Sequence, residues 1–303
     1  MLAVVVAACS TGGVDTPVAT AAPASSLPTG DSTVRVLSGG AVRSAIVHRP
    51  ARSGAALPLV VMLHGGYGSA RQAQQAYGWD GLADRFGFVV AYPDGLSRSW
   101  NAGSCCGTAA KQEVNDVEFV TSLVARIRRD VSVDISRVYV AGMSNGAMMA
   151  LRLMCETDAF AAGAAVAGTL VTGCGSPRQA SLLQIHGTAD DRVPYAGGPG
   201  KAFGASGQAR VDGMAIPAIN KKWRRVDDCS DPVEQVSGAV TTSLASCADG
   251  RAVELISIAG AGHQWPGATS TTARQRSGSA DTPSTAIDAT ETIWDFFAAH
   301  PRR

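Results

Sequence analysis

What these 303 residues have little of narrows the field before any motif is read. Charged side chains make up 17% of the chain, with 26 Lys and Arg against 25 Asp and Glu. The resulting net charge of +1 provides no global field to gather nucleic acid or an anionic membrane surface. The run Lys221, Lys222, Arg224, Arg225 therefore reads as the solvated face of a helix. No apolar stretch approaches the ~20 residues that a membrane-spanning helix needs. There is no CxxC pair and no histidine at ligand spacing from a cysteine, so no metal is expected, and the serine chemistry read below needs no organic cofactor. Histidines number only five, which leaves few places for chemistry that needs an imidazole.

Hydrophobic residues, by contrast, make up 46% of the chain, enough for one large core. The opening MLAVVVAACS is similar to the end of a bacterial lipoprotein signal peptide, in which Cys9 would be lipidated after cleavage. It lacks a basic n-region, so residues 1–9 read as a truncated signal segment with the start placed too late. Residues 10–32, rich in Thr, Ala, Pro, Ser and Gly, read as a flexible tether, leaving 33–303 as the folded domain. Both features predict export to the cell envelope or beyond, with the membrane touched only through a lipid on Cys9.

With Cys9 set aside, six cysteines remain, an even number suited to disulfides in an oxidising compartment. Cys229 and Cys247 bracket a polar, turn-rich stretch and are predicted to pair. Cys105 and Cys106 are adjacent, and a bond between them would strain the backbone. Each is therefore expected to take one of Cys155 and Cys174.

Apolar runs at 42–48, 57–64, 87–93, 137–142, 163–168, 181–187 and 252–260 predict strands. Several lack alternation, as strands buried on both faces of a parallel sheet do. Helix-like segments at 70–86, 113–130, 145–157 and 285–299 would cover both faces, with Val117, Val120, Val124 and Ile127 at helical spacing. Residues 34–37 and 42–48 predict an antiparallel hairpin at the N-terminal edge.

Within this alternation, Gly142-Met143-Ser144-Asn145-Gly146 sits between a predicted strand and a predicted helix. That is the context in which G-x-S-x-G forms a nucleophile elbow, so an α/β-hydrolase fold with a mostly parallel sheet is expected. In that fold an acid and then a histidine follow the serine along the chain. His263, in AGAGHQWPG, meets the condition, and HGTADDRVPY supplies Asp190 and Asp191 without deciding between them. For the oxyanion, one backbone N–H is expected from Asn145 and another from Gly66 or, as second choice, Tyr67, after the strand LVVML.

LHGG, WNAGSCCG, GMSNGAMM, IHGTADDRVPY and GHQWPG, in this order over about residues 34–299, resemble secreted esterases. The group comprises polyhydroxybutyrate depolymerases and the feruloyl and acetyl xylan esterases of carbohydrate esterase family 1. The resemblance implies that Ser144, Asp190 and His263 act together, selecting Asp190 over Asp191, and that the substrate is an ester, polymeric or not. This chain departs from many relatives at Gly66 and Gln264, where they have Cys and Thr. Trp100, Asn101 and Trp265 are expected at the site rim, where an indole face would stack on a sugar or aromatic acyl group, with a structural wedge as the equal alternative for Trp265. The polar stretch 267–284 is expected to flank the mouth. Two other readings compete: a serine peptidase, and a lipid-anchored carbohydrate-binding lipoprotein with an inactive hydrolase fold.

Overall fold

A computed structural model of the chain describes residues 1, 27–52, 56–175, 177–201, 211–268 and 281–303. Cys9 and most of the tether therefore lie outside the described residues.

Ten strands form one sheet in the order β1-β2-β4-β3-β5-β6-β7-β12-β11-β10. Its centre comprises β3 (Leu57–Leu63), β4 (Val89–Pro93), β5 (Val133–Met143), β6 (Ala162–Val166), β7 (Ser181–Gly187) and β12 (Ala252–Ile258). These six are joined by parallel pairings throughout. At one edge, β1 (Gly30–Ser38) and β2 (Ala41–Arg49) form the predicted hairpin, and β2 runs antiparallel to β4.

The unbroken apolar runs are explained by two cores, one on each face. In β3, Leu59, Val61 and Leu63 enter one core, while Val60 and Met62 enter the other. Helices α4 (Asp116–Asp130), α5 (Asn145–Glu156) and α6 (Ile216–Val226) supply residues such as Phe119, Leu151 and Trp223 to the first core. Helices α1 (Ala70–Tyr77), α2 (Trp79–Phe86) and α7 (Ala289–Ala299) cover the second with Ala73, Trp79 and Phe297. Each fully buried Leu, Phe or Met contributes about 1.5–3 kcal/mol relative to exposure. A charge on either face of β3 would therefore disrupt one of the two cores.

Several boundaries differ from expectation for local reasons. The single helix predicted over 70–86 is two, because Gly78 takes a left-handed φ of 75° and both ends one helix and starts the next. The helix predicted from 113 begins at Asp116, where the Asn115 side chain accepts the Glu118 N–H, and the last helix begins after Asp288, which caps Thr290 and Glu291. The polar stretch between Cys229 and Cys247 is a hairpin, β10 (Val233–Ser237) and β11 (Val240–Ser246), added antiparallel to β12. Its alternating Thr and Ser made it read as loop. A short helix, α3 (Gly107–Lys111), and a two-residue pair, β8 (Gly198–Pro199) with β9 (Asp212–Gly213), complete the described elements.

Cys229 and Cys247 are bonded as predicted. The other four cysteines correct the expectation: Cys155 pairs with Cys174, and Cys105 pairs with its neighbour Cys106. The reason lies in the tertiary arrangement, for α5 brings Cys155 to a Cα–Cα separation of 5.4 Å from Cys174. That distance lies within ordinary disulfide range and, among the described residues, leaves Cys105 and Cys106 only each other.

Candidate active site

Strand β5 ends at Met143 and α5 starts at Asn145, so Ser144 makes the whole turn, with φ 55° and ψ −118°. A non-glycine residue holds such a conformation only where its surroundings over-determine it. Here Ser144 N–H donates to the Val166 carbonyl at 2.8 Å, and the Ser144 carbonyl accepts the Met148 N–H at 2.9 Å. The flanking glycines answer to close approach rather than to φ. A Cβ on Gly142 would lie 2.2 Å from the Gly146 carbonyl oxygen, and one on Gly146 would lie 2.3 Å from that of Leu63.

His263, fully buried after β12, faces both remaining partners. Its Nδ1 is 2.8 Å from Asp190 Oδ2 and its Nε2 is 2.8 Å from Ser144 Oγ. A ring nitrogen facing a carboxylate carries the proton, so Nδ1–H donates to Asp190 and Nε2 is left to accept the serine hydroxyl. The His263 backbone N–H also donates to Asp281 Oδ2 at 2.6 Å. Asp281 escapes the sequence reading because it lies 18 positions along the chain from His263 and no motif marks it.

Asp190 is built as an anion. Its Oδ1 accepts the backbone N–H groups of Arg192 and Val193 at 2.9 and 2.8 Å, and its Oδ2 lies 3.3 Å from His186 Nε2 as well as close to His263. Burial pushes its carboxyl up, but the charge of a protonated His263 and the hydrogen bonds from His186 and His263 outweigh it and hold the group well below the usual carboxylate range. His186 Nε2 also donates to the Val193 carbonyl at 2.9 Å, so one imidazole ties the acid to its own loop. Asp191 points away, half exposed, and pairs with Lys201 at 2.7 Å.

Two backbone donors stand beside the serine. Asn145 N–H is the first of α5 and has no partner within the helix. Gly66, after β3, packs against Asn145 and, among the described residues, its N–H has no acceptor. The second choice, Tyr67, is corrected: its N–H donates to the Arg98 carbonyl at 2.8 Å.

The three expected rim residues are corrected too. Trp100 is fully buried, with its indole N–H donated to the His64 carbonyl at 2.8 Å, and so offers no face to a substrate. Its backbone N–H and carbonyl are both held by the Asn145 side chain, at 2.7 and 3.0 Å. Trp100 thus locks the loop to the residue after Ser144. Asn101 is buried, and its amide serves Gly103 N–H and the Val114 carbonyl. Trp265 is buried against Tyr77, ring centroids 4.4 Å apart, with its N–H on Thr290. Sequence position placed these residues near the site, and burial turned them inward. Most of the stretch 267–284 expected at the mouth lies outside the described residues. Beside Ser144 opens a cavity of about 340 Å³, bounded by Gly66, Asn145, Met148, Thr108 and the Cys105–Cys106 disulfide.

A mostly parallel sheet whose serine turns sharply into a helix, with acid and histidine following in that order on later loops, is an α/β-hydrolase arrangement. Residues 43–195 match the family model described as esterase PHB depolymerase, and the chain belongs to that family. NocK of Nocardia uniformis subsp. tsuyamanensis, which carries an esterase designation, is 30% identical over 70% of this chain and 66% of its own length. The poly(3-hydroxyalkanoate) depolymerase C of Paucimonas lemoignei is 29% identical over 72% of this chain and 58% of its own. The chain therefore spans about two thirds or less of the length of these relatives. An acetyl xylan esterase from Aspergillus awamori shares the fold, with a TM-score of 0.60 at 14% identity over 88% of this chain and 99% of the other.

Proposed function

We propose that this chain is an exported serine esterase that hydrolyses carboxylic esters through an acyl-enzyme, with feruloyl or acetyl groups on polysaccharides or hydroxyalkanoate-type esters as substrates. The observation that carries the reading is the continuous run of 2.8 Å contacts from Asp190 through His263 to Ser144. His263 Nε2 takes the serine proton as Oγ attacks the ester carbonyl, and the backbone N–H groups of Gly66 and Asn145 receive the developing oxyanion. The imidazolium, stabilised by Asp190, then protonates the departing alcohol. Water repeats the sequence in reverse and frees the acid. Family membership and the depolymerase name carried by a relative support an ester as the substrate.

Export, with a lipid on Cys9, is part of the same reading. Three disulfides among the described residues support an oxidising compartment.

The test is hydrolysis of p-nitrophenyl acetate, methyl ferulate and a 3-hydroxybutyrate oligomer by the wild type and Ser144→Ala. Loss of turnover by roughly 10⁵-fold or more in the variant is expected. Equal rates for the two proteins would refute the assignment of the nucleophile, and no turnover of any ester by the wild type would refute the esterase.

A further inference from the structure

Resting on the esterase reading above, we propose that the cavity beside Ser144 receives the acyl arm of esters bearing a second, ionised carboxyl group, and that Lys111 selects for it. The substrates in view are half-esters of short dicarboxylic acids.

The side of the ester follows from the geometry of proton transfer. The departing alcohol must lie against His263 Nε2 to be protonated. Ser144 and the oxyanion donors Gly66 and Asn145 line the cavity, but His263 and Asp190 do not. The cavity therefore extends from the carbonyl on the side away from the leaving group, where the acyl arm lies. A volume of about 340 Å³ stands at the small end of ligand pockets and suits a short arm.

The kind of arm follows from charge. Arg98 and Lys111 line the cavity with no Asp or Glu among the other lining residues. Neither cation forms an ion pair among the described residues, and no carboxylate of the recess itself offsets them. In a chain whose net charge is only +1, two uncompensated cations share the wall of one recess. Arg98 is fixed across the rim, where its guanidinium donates to the carbonyls of Tyr67 and Gly68. Lys111 ends α3 on a longer, flexible stem, and the hydroxyls of Ser99 and Thr108 stand on the same wall. A carboxylate at the end of a short acyl arm meets both charges at the exposed mouth of the recess, where their attraction is screened by salt. An aliphatic arm of the same length gains only Met148, Val211 and the disulfide.

Monoethyl succinate and ethyl butyrate have acyl arms of the same length and differ in the terminal carboxylate, so the ratio of their kcat/KM values isolates it. In a pH-stat at pH 7.5 this ratio is expected to fall about tenfold in Lys111→Glu, with Lys111→Arg restoring it, and to fall in the wild type as salt rises. The same charge change on the exposed face of α6, Lys221→Glu, should leave the ratio at the wild-type value. Two results would overturn the inference while leaving the esterase standing: an unchanged ratio in Lys111→Glu, or no turnover of monoethyl succinate by enzyme that hydrolyses p-nitrophenyl acetate. No turnover of any ester overturns both.

Discussion

Two adjacent carboxylates with the same covalent chemistry are given different tasks by what surrounds them. Asp190 accepts two backbone N–H groups and faces two imidazoles, while Asp191 pairs with Lys201 in solvent. Asp190→Asn should therefore lower kcat by roughly 10³- to 10⁴-fold, because the amide no longer fixes the proton on His263 Nδ1. Asp191→Asn should retain most activity in the same assay, and the reverse ranking would overturn the assignment. The same substitution carries a pH signature. The folded carboxyl of Asp190 titrates below its ordinary value of 3.8, so its contribution to stability is complete above that pH and is lost as pH falls through the folded value. Thermal melts of Asp190→Asn should accordingly lose less Tm than the wild type between pH 5 and acid.

At the scale of elements, one histidine adds a titratable link between the edge hairpin, already paired to β4, and the helices behind it. His48 on β2 meets Asp31 on β1 at 2.8 Å and Asp84 on α2 at 3.1 Å, with Asp80 Oδ2 at 3.9 Å. Gln74 on α1 also contacts the cluster, donating to both Asp31 and Asp80. Burial pulls the imidazole down, but the hydrogen bonds to Asp31 and Asp84 and the charges of Asp80 and Asp84 raise it above 6.5. A raised base stabilises the fold fully below its unfolded value and loses that contribution as pH rises through the folded one. The Tm difference between wild type and His48→Gln should thus be largest near pH 6 and shrink toward pH 8. A difference independent of pH would show that His48 acts by packing alone.

Across the whole molecule, the sheet is parallel where helices cover both faces and antiparallel at both ends, where hairpins close it. The C-terminal-side hairpin β10–β11 exposes Val233 and Val236, and the Cys229–Cys247 bond closes the loop that contains it. Replacing both cysteines by Ala should lower the unfolding free energy by about 3 kcal/mol, the loop-closure entropy of a span near this length. Denaturant unfolding would read this as a lower midpoint, and no shift would show that sheet pairing alone holds the hairpin. By contrast, the Cys155–Cys174 bond ties α5, which Ser144 directly precedes, to the loop after β6.

The sequence by itself determined the elements whose cause is local. Continuous apolar runs specified buried strands, G-x-S-x-G between strand and helix specified the turn at Ser144, and chain order, with His300 set aside in the terminal AHPRR, left His263 as the base. What the tertiary structure decided depends on groups that the chain brings together from afar. Resemblance alone separates Asp190 from Asp191 in the sequence, whereas in the fold His263, arriving after β12, and His186, at the end of Asp190's own preceding strand, both face Asp190. The contact of Asp281 with the His263 backbone joins segments distant in sequence, and the inward turn of Trp100 and Trp265 follows from burial that no pattern in their own segments encodes. Cysteine pairing was likewise set by the position of α5 relative to Cys174. Periodicity reports which face of an element meets a core, whereas contact between distant side chains is fixed only when both cores close.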